Sequence, residues 1–295
     1  MVIKIQDLSK DKYVLPGHSA CPGCPETLGL RYVGMALGRD SILIIPAGCS
    51  SIIQGTMPKS SLAMKVINVP FASSAAVASG IAGVRDILKI DGIPVVWAGD
   101  GATADIGFAS LSGSAERNDD LIYVCVDNEA YMNTGIQRSS LTPYGAWTST
   151  TVAGKKEGKK EIPLIILLHK VPYVATASIA FPLDFISKLR KASTIKGFKY
   201  IHLHAPCPTG WRFDPSKTIE VAKLAVETGA WILFEAEHSK IKLTQPSNIY
   251  LDKGRRKPVK EYLSLQGRFR NLTEEDLKTF QELIDDTWNL ILKFT

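Results

Sequence analysis

Two short stretches of the chain carry residue types that could do chemistry at one shared place. "AGDGATADIG" sets Gly99, Asp100 and Gly101 at the end of an apolar run, and "VDNEAYMNTGIQ" sets Asp127 and Asn128 at the end of the next. From Gly101 to Asp127 is 26 positions, the length of one helix plus one strand in a βαβ unit. Both turns are therefore expected side by side at the carboxyl edge of a parallel sheet, where ligands of such sheets bind. Aspartate beside asparagine supplies hard oxygens, the ligand type that Mg²⁺ or Ca²⁺ prefers. Glycines flanking Asp100 let backbone N–H groups approach an anion, and a helix is expected directly after them. The combination describes a metal-bridged diphosphate site. A lone GDG would be an ordinary turn, and only the pairing at this interval is informative.

The five cysteines divide by their surroundings. Cys125, inside "LIYVCVDN", sits among apolar residues and is expected to be a packed core thiol. Cys21, Cys24, Cys49 and Cys207 lie in Gly/Pro turns, "SACPGCPE", "IPAGCSS" and "HAPCPTGW", and the last two follow predicted strands. They should share the sheet edge with the GDG turn. Four loop cysteines can hold zinc or a [4Fe–4S] cluster. Structural zinc sites usually use two close pairs, whereas Cys49 and Cys207 are singletons 158 positions apart, which favours a cluster between loops of a large domain. A thioredoxin-like pair would need only Cys21 and Cys24 and would leave the other two unexplained.

The elements that must position these residues follow from length and patterning. A chain of 295 residues, 45% hydrophobic and 22% charged, can bury a large single core. Its start lacks a basic segment leading into an apolar one, and no run approaches the ~20 apolar residues of a membrane helix, so a cytoplasmic protein with no membrane association is expected. Net charge is +6, with basic runs at 154–160 ("GKKEGKK") and 253–260 ("KGRRKPVK"). Without interleaved aromatics these read as solvated loops, not a nucleic-acid surface, although a mildly basic face could help an acidic protein dock. Strands are predicted at 41–48, 64–70, 92–101, 120–128 and 197–206, and helices at 73–89, 104–117, 182–194 and 273–294, the last capped by Thr273. Residues 163–169 could be strand or helix, and 135–162 reads as a long ordered loop. The fold class is α/β, a doubly wound, mostly parallel sheet. It is expected as a single domain over 1–295, with a core over about 15–235 and a C-terminal helical extension over about 236–295.

GDG followed after such an interval by asparagine resembles the thiamine diphosphate motif. By that resemblance Asp100, the Asn128 side chain and the Ala130 carbonyl would bind Mg²⁺. Cofactor and cysteines belong together chemically, because the cofactor's decarboxylation of a 2-oxo acid leaves electrons that a nearby cluster can take one at a time. Nearly the whole chain is similar to the β subunits of 2-oxoacid:ferredoxin oxidoreductases, most of all pyruvate:ferredoxin oxidoreductase. The likeness runs through "PGHSACPGCPETLGLRYV", "AGCSS", "GDGATADIGFASLSGSAERNDDLIYVCVDNEAYMNTGIQRSSLTPYGAWTST", "PYVATASI", "CPTGW" and "EYLSLQGRF".

The resemblance implies a thiamine diphosphate-binding fold in which Cys21, Cys24, Cys49 and Cys207 hold a [4Fe–4S] cluster. It also implies that Ser50, Gly99, Asp100, Gly101, Asn128, Ala130, Met132, Asn133 and Thr134 line the cofactor and its Mg²⁺. Asn133 would be catalytic, beside the reactive ring and the bound 2-oxo acid. The implied reaction turns pyruvate and coenzyme A into acetyl-CoA and CO₂ and passes electrons to ferredoxin, with alpha, gamma and delta-type subunits as partners. Branched-chain 2-oxo acids are the alternative substrates. Two rival readings are a non-redox thiamine enzyme with structural zinc and a zinc-stabilised interaction protein. The chain departs from the family pattern at Pro25, where glycine is usual, and in "PAGC", where "ATGC" is usual; neither removes a ligand.

Overall fold

The computed structural model describes residues 4–295, so the first three positions of the expected domain lie outside the described residues. Its elements run α1 (Pro25–Leu37), β1 (Ile42–Pro46), α2 (Cys49–Gln54), β2 (Lys65–Val69), α3 (Ser74–Leu88), β3 (Pro94–Gly99), α4 (Phe108–Glu116) and β4 (Leu121–Asp127). After a long loop follow α5 (Ile162–Leu168), β5 (Tyr173–Ser178), α6 (Pro182–Thr194), β6 (Phe198–His204), α7 (Pro208–Trp211), α8 (Thr218–Glu227), β7 (Phe234–Glu237), β8 (Lys240–Leu243), α9 (Val259–Ser264) and α10 (Glu274–Leu292).

The strands form one eight-stranded sheet in the order β2-β1-β3-β4-β6-β5-β7-β8. The first six are parallel; β7 and β8 add antiparallel at the far edge. Period-two alternation splits the strand side chains between two core layers. Leu43, Ile45, Val95, Trp97, Ile122 and Val124 face a layer that includes Leu30 and Val33 of α1 and Phe185 and Leu189 of α6. Ile42, Ile44, Val96, Ala98, Tyr123 and Cys125 face the other, closed by α3, α4, α5, α8 and α10. Cys125 is fully buried there, as a packed thiol should be.

Several expectations change in detail. Residues 163–168 are helical, within α5, and His169 is its C-cap. The predicted helix 104–117 is a π-helical turn, Ala102–Ile106, followed by α4. The sheet continues past residue 235 to Leu243, and Phe280, Ile284, Trp288 and Ile291 of α10 lie in the same core layer as β4, so the tail is not separate from the core. Thr273 caps α10 as expected, its hydroxyl accepting the Asp276 N–H while Asp276 accepts the Thr273 N–H. The run "GKKEGKK" is a solvated loop only in part, at the exposed Lys156, Glu157 and Gly158. Lys155 is 1% exposed and donates to the carbonyls of Ser140, Thr142 and Gly158 at 3.2, 2.6 and 2.9 Å. Loop carbonyls without strand partners need donors, and a lysine can satisfy three of them at once.

Candidate cofactor and cluster site

Four neighbouring strands, β1, β3, β4 and β6, deliver the chemistry-bearing turns to one edge. β1 leads into Gly48-Cys49-Ser50, β3 into Asp100-Gly101, β4 into Asn128–Thr134 and β6 into Cys207. Between these turns lies a cavity of about 170 Å³. All nine residues expected around the cofactor border it, as do Glu26, Cys49, Phe71, Trp97 and Tyr131. A larger cavity, about 310 Å³, lies under α5 and α10 and includes none of the nine.

Asp100 is 1% exposed, and its carboxylate accepts the Ser139 hydroxyl. Burial and the neighbouring Asp127 push its pKa well up, a cost that a bound cation would offset. Gly101 has no room for a side chain, because a Cβ there would come within 2.4 Å of the Tyr131 ring. That ring is fixed by a 2.8 Å hydrogen bond to Asp105 and packs on Phe71. Asn128 donates from Nδ2 to Glu26 at 3.2 Å, while its Oδ1 is buried with no partner. A buried carbonyl oxygen left alone is costly, and a hard cation satisfies it. The donor set therefore fits Mg²⁺ held between a carboxylate and an amide oxygen.

The backbone of this turn is anchored from behind. Lys159 bridges Asp127 and Glu129 at 2.9 and 2.8 Å, His202 meets Asp127 at 2.9 Å, Arg268 pairs with Glu129, and Trp211 donates to the Asn128 carbonyl at 2.8 Å. Against burial, Lys159 and His202 hold the Asp127 carboxyl far below its usual range. Asn133 and Thr134 are exposed at the cavity rim, in a run of turns and not at a helix start, so Asn133 caps no helix.

The cysteines gather at the adjoining end. Cys24 is the N-cap of α1 with Pro25 at its first turn, a position where the fixed φ of proline suits a helix and its missing N–H is not needed. Pro25 thus starts a helix and does not distort the cysteine loop. Gly23, at φ +69°, would drive a Cβ to 2.4 Å from the Pro215 carbonyl oxygen, so the Cys21–Cys24 turn requires glycine. Cys49 opens α2, and the Cys207 sulfur accepts the Gly210 N–H at 3.4 Å. Burial, Glu26 and the thiols of Cys207, Cys24 and Cys21 all push the Cys49 thiol up, so the four lie within electrostatic reach of one another. Cys207 is pushed up to about 11, mainly by burial. Among the described residues no three His, Cys, Asp or Glu converge on a single-ion site. Met132, on the cavity wall, places its sulfur against Gly210 beside the Cys207 sulfur.

Sequence reasoning missed Glu26, Trp97, Ser139, Lys159, Trp211 and Arg268. Only Glu26 had a nearby signal, standing two residues after Cys24; the rest act across the fold.

Comparison with known proteins fixes the class first. Residues 46–203 match the family model of the thiamine pyrophosphate enzyme C-terminal TPP binding domain, so the chain carries a thiamine diphosphate-binding domain. Over 94% of its length it is 51% identical to the ketoisovalerate oxidoreductase subunit VorB of Pyrococcus horikoshii, covering 91% of that protein. Over the same share it is 48% identical to the pyruvate synthase subunit PorB of Methanothermobacter marburgensis, covering 96% of it. The chain belongs to the β subunits of the 2-oxoacid:ferredoxin oxidoreductases. A 2-oxoglutarate:ferredoxin oxidoreductase from Magnetococcus marinus shares the fold, with a TM-score of 0.59 and 24% identity over 76% of this chain and 84% of that one.

Proposed function

We propose that this chain is the thiamine diphosphate-, Mg²⁺- and [4Fe–4S]-binding subunit of a cytoplasmic enzyme that oxidatively decarboxylates pyruvate with coenzyme A and reduces ferredoxin. It works with alpha, gamma and delta-type subunits, within a single domain over 1–295. The observation that carries the reading is that Cys49 borders the cavity holding Asp100 and Asn128, so both groups would sit at one sheet edge. When bound, thiamine diphosphate supplies decarboxylation and the cluster supplies one-electron transfer. Asp100, Asn128 and the Ala130 carbonyl would hold Mg²⁺, and the bare face of Gly101 would admit the diphosphate. Met132 closes the wall toward Cys207, and Asn133 and Thr134 meet the substrate at the rim. Cys21, Cys24, Cys49 and Cys207 would hold the cluster as thiolates, its iron offsetting the burial that raises the thiols of Cys24, Cys49 and Cys207. Branched-chain 2-oxo acids are the second reading, favoured by the 51% identity to the ketoisovalerate relative against 48% to the pyruvate one.

The test is anaerobic purification with the partner subunits. The complex should be brown, bleach on reduction, and reduce ferredoxin in a coenzyme A-dependent way when pyruvate, 2-oxoisovalerate and 2-oxoglutarate are supplied in parallel. Colourless protein with one equivalent of zinc would defeat the redox reading, and faster turnover of 2-oxoisovalerate would select the second substrate.

A further inference from the structure

Glu26 enters the cavity from the first turn of α1, 102 positions before Asn128 in sequence, and is 6% exposed. Its Oε1 accepts the Asn128 Nδ2–H at 3.2 Å. Its other oxygen accepts the Ser50 hydroxyl, which in turn accepts the Trp97 indole N–H at 2.8 Å. Burial pushes the carboxyl up, and these two hydrogen bonds pull it back. The consequence for Asn128 is geometric. A side-chain amide has two orientations differing by a half-turn, one presenting N–H₂ and the other oxygen to a given neighbour. An acceptor at Glu26 selects the orientation with Nδ2 toward itself. The oxygen left over is the buried Oδ1 that has no partner.

We propose that Glu26 is a positioning residue: it fixes the Asn128 amide so that Oδ1, and not Nδ2, faces the divalent cation of the cofactor. The proposal rests on the reading of Asn128 as a Mg²⁺ ligand. Ser50 and Trp97 complete the device by holding the second Glu26 oxygen, so the carboxylate cannot turn away. Partners outside the ligand shell commonly change metal affinity about 10–100-fold when removed.

The experiment uses the complete complex, stripped of cation with chelator, supplied with thiamine diphosphate and titrated with Mn²⁺, free Mn²⁺ being read by electron paramagnetic resonance. Glu26→Met fills the space without an acceptor and leaves the amide free to turn. Its Mn²⁺ Kd should rise about tenfold or more. The double variant E26Q/N128D reverses the hydrogen bond, the new amide donating to the new carboxylate, which still has an oxygen for the cation. Its Kd should return to within about threefold of the unsubstituted complex, or fall below it. A folded Glu26→Met complex with an unchanged Kd would overturn the proposal, as would a tenfold loss in the double variant. If Glu26→Met does not assemble, the double variant decides alone. Failure of the unsubstituted complex to bind Mn²⁺ with thiamine diphosphate would instead sink the cation-site reading itself.

Discussion

Asp100, Asn128, Cys49 and Cys207 can be picked out in the sequence because each sits in a turn that ends an apolar run, and Cys21 and Cys24 because they share a Gly/Pro turn; hard oxygens or thiols in turns have few structural uses. Glu26 cannot be picked out in that way. Its partner is 102 positions away, and only the folding of α1 against β3 and β4 brings the two together. Pro25 looks like a defect of the cysteine loop until α1 is seen to begin there. Gly101 shows how little tolerance remains. A methyl group at that position must displace the Tyr131 ring, which its Asp105 hydrogen bond otherwise holds. Gly101→Ala should therefore weaken thiamine diphosphate binding by about tenfold or more, equivalent to at least about 1.4 kcal/mol, while Tm stays within a few degrees. Calorimetric titration of the complex checks this, and unchanged affinity would show that the cofactor does not lie against Gly101.

The buried strands β1, β3 and β4 were legible as elements because each is a short continuous apolar run bounded by Gly, Pro or Asp, and their observed limits fall inside the expected ones, whereas the equally buried β5, "YVATAS", was not predicted. α1 was not, since its apolar stripe starts in a Cys/Pro/Gly turn that reads as loop. Lys156 is exposed as read, but Lys155, Lys159 and Lys160 are engaged, because charge alone says nothing about which loop groups need donors. At the opposite edge from the cavity, one carboxylate ties elements together. Asp120, at the start of β4, accepts Lys199 of β6 at 2.7 Å and Lys196 at 2.9 Å, and pairs with Arg85 of α3 at 3.1 Å. Burial raises its pKa, but the hydrogen bonds from Lys199 and Lys196 outweigh this and hold it at about 2. The folded-state value lies below the ordinary one, so the stabilisation is fully present above about pH 4 and is lost as pH falls toward 2. Asp120→Asn should lower Tm at pH 7 by several degrees, about 2 kcal/mol after allowing for its partial exposure, because Lys199 is left buried without its anion. The variant and the unsubstituted protein should converge in stability only at about pH 2 and below, and parallel pH-dependent melting curves would rule this account out.

At the scale of the whole molecule, the sheet edge gathers the cavity proposed for the cofactor and four loop cysteines but leaves one requirement unmet. The ionisable side chains that line the cavity, among the described residues, are Glu26, Cys49, Asp100 and Tyr131, and none is cationic. A 2-oxo acid carries a carboxylate, and placing it beside a diphosphate in a recess with acidic walls costs free energy unless a fixed positive group faces it. Two cations behind the site are already engaged, Lys159 with Asp127 and Glu129 and Arg268 with Glu129, and Arg138, beyond the rim, pairs with Glu157 at 3.5 Å. Under the proposed function, we infer that the positive group comes from another chain seated over the rim at Asn133 and Thr134. The apolar side chains of Ile52 on α2 and Ile106 at the end of the π-helical turn, both more than half exposed, offer such a chain surface to cover. Purified alone and reconstituted with thiamine diphosphate, Mg²⁺ and iron–sulfur cluster, this polypeptide should show no turnover of pyruvate or 2-oxoisovalerate above background. Activity should appear on adding the partner subunits, with KM for the 2-oxo acid rising steeply when an arginine or lysine of the covering chain is replaced. Turnover by the single chain would mean that the substrate carboxylate finds its cation elsewhere on this fold.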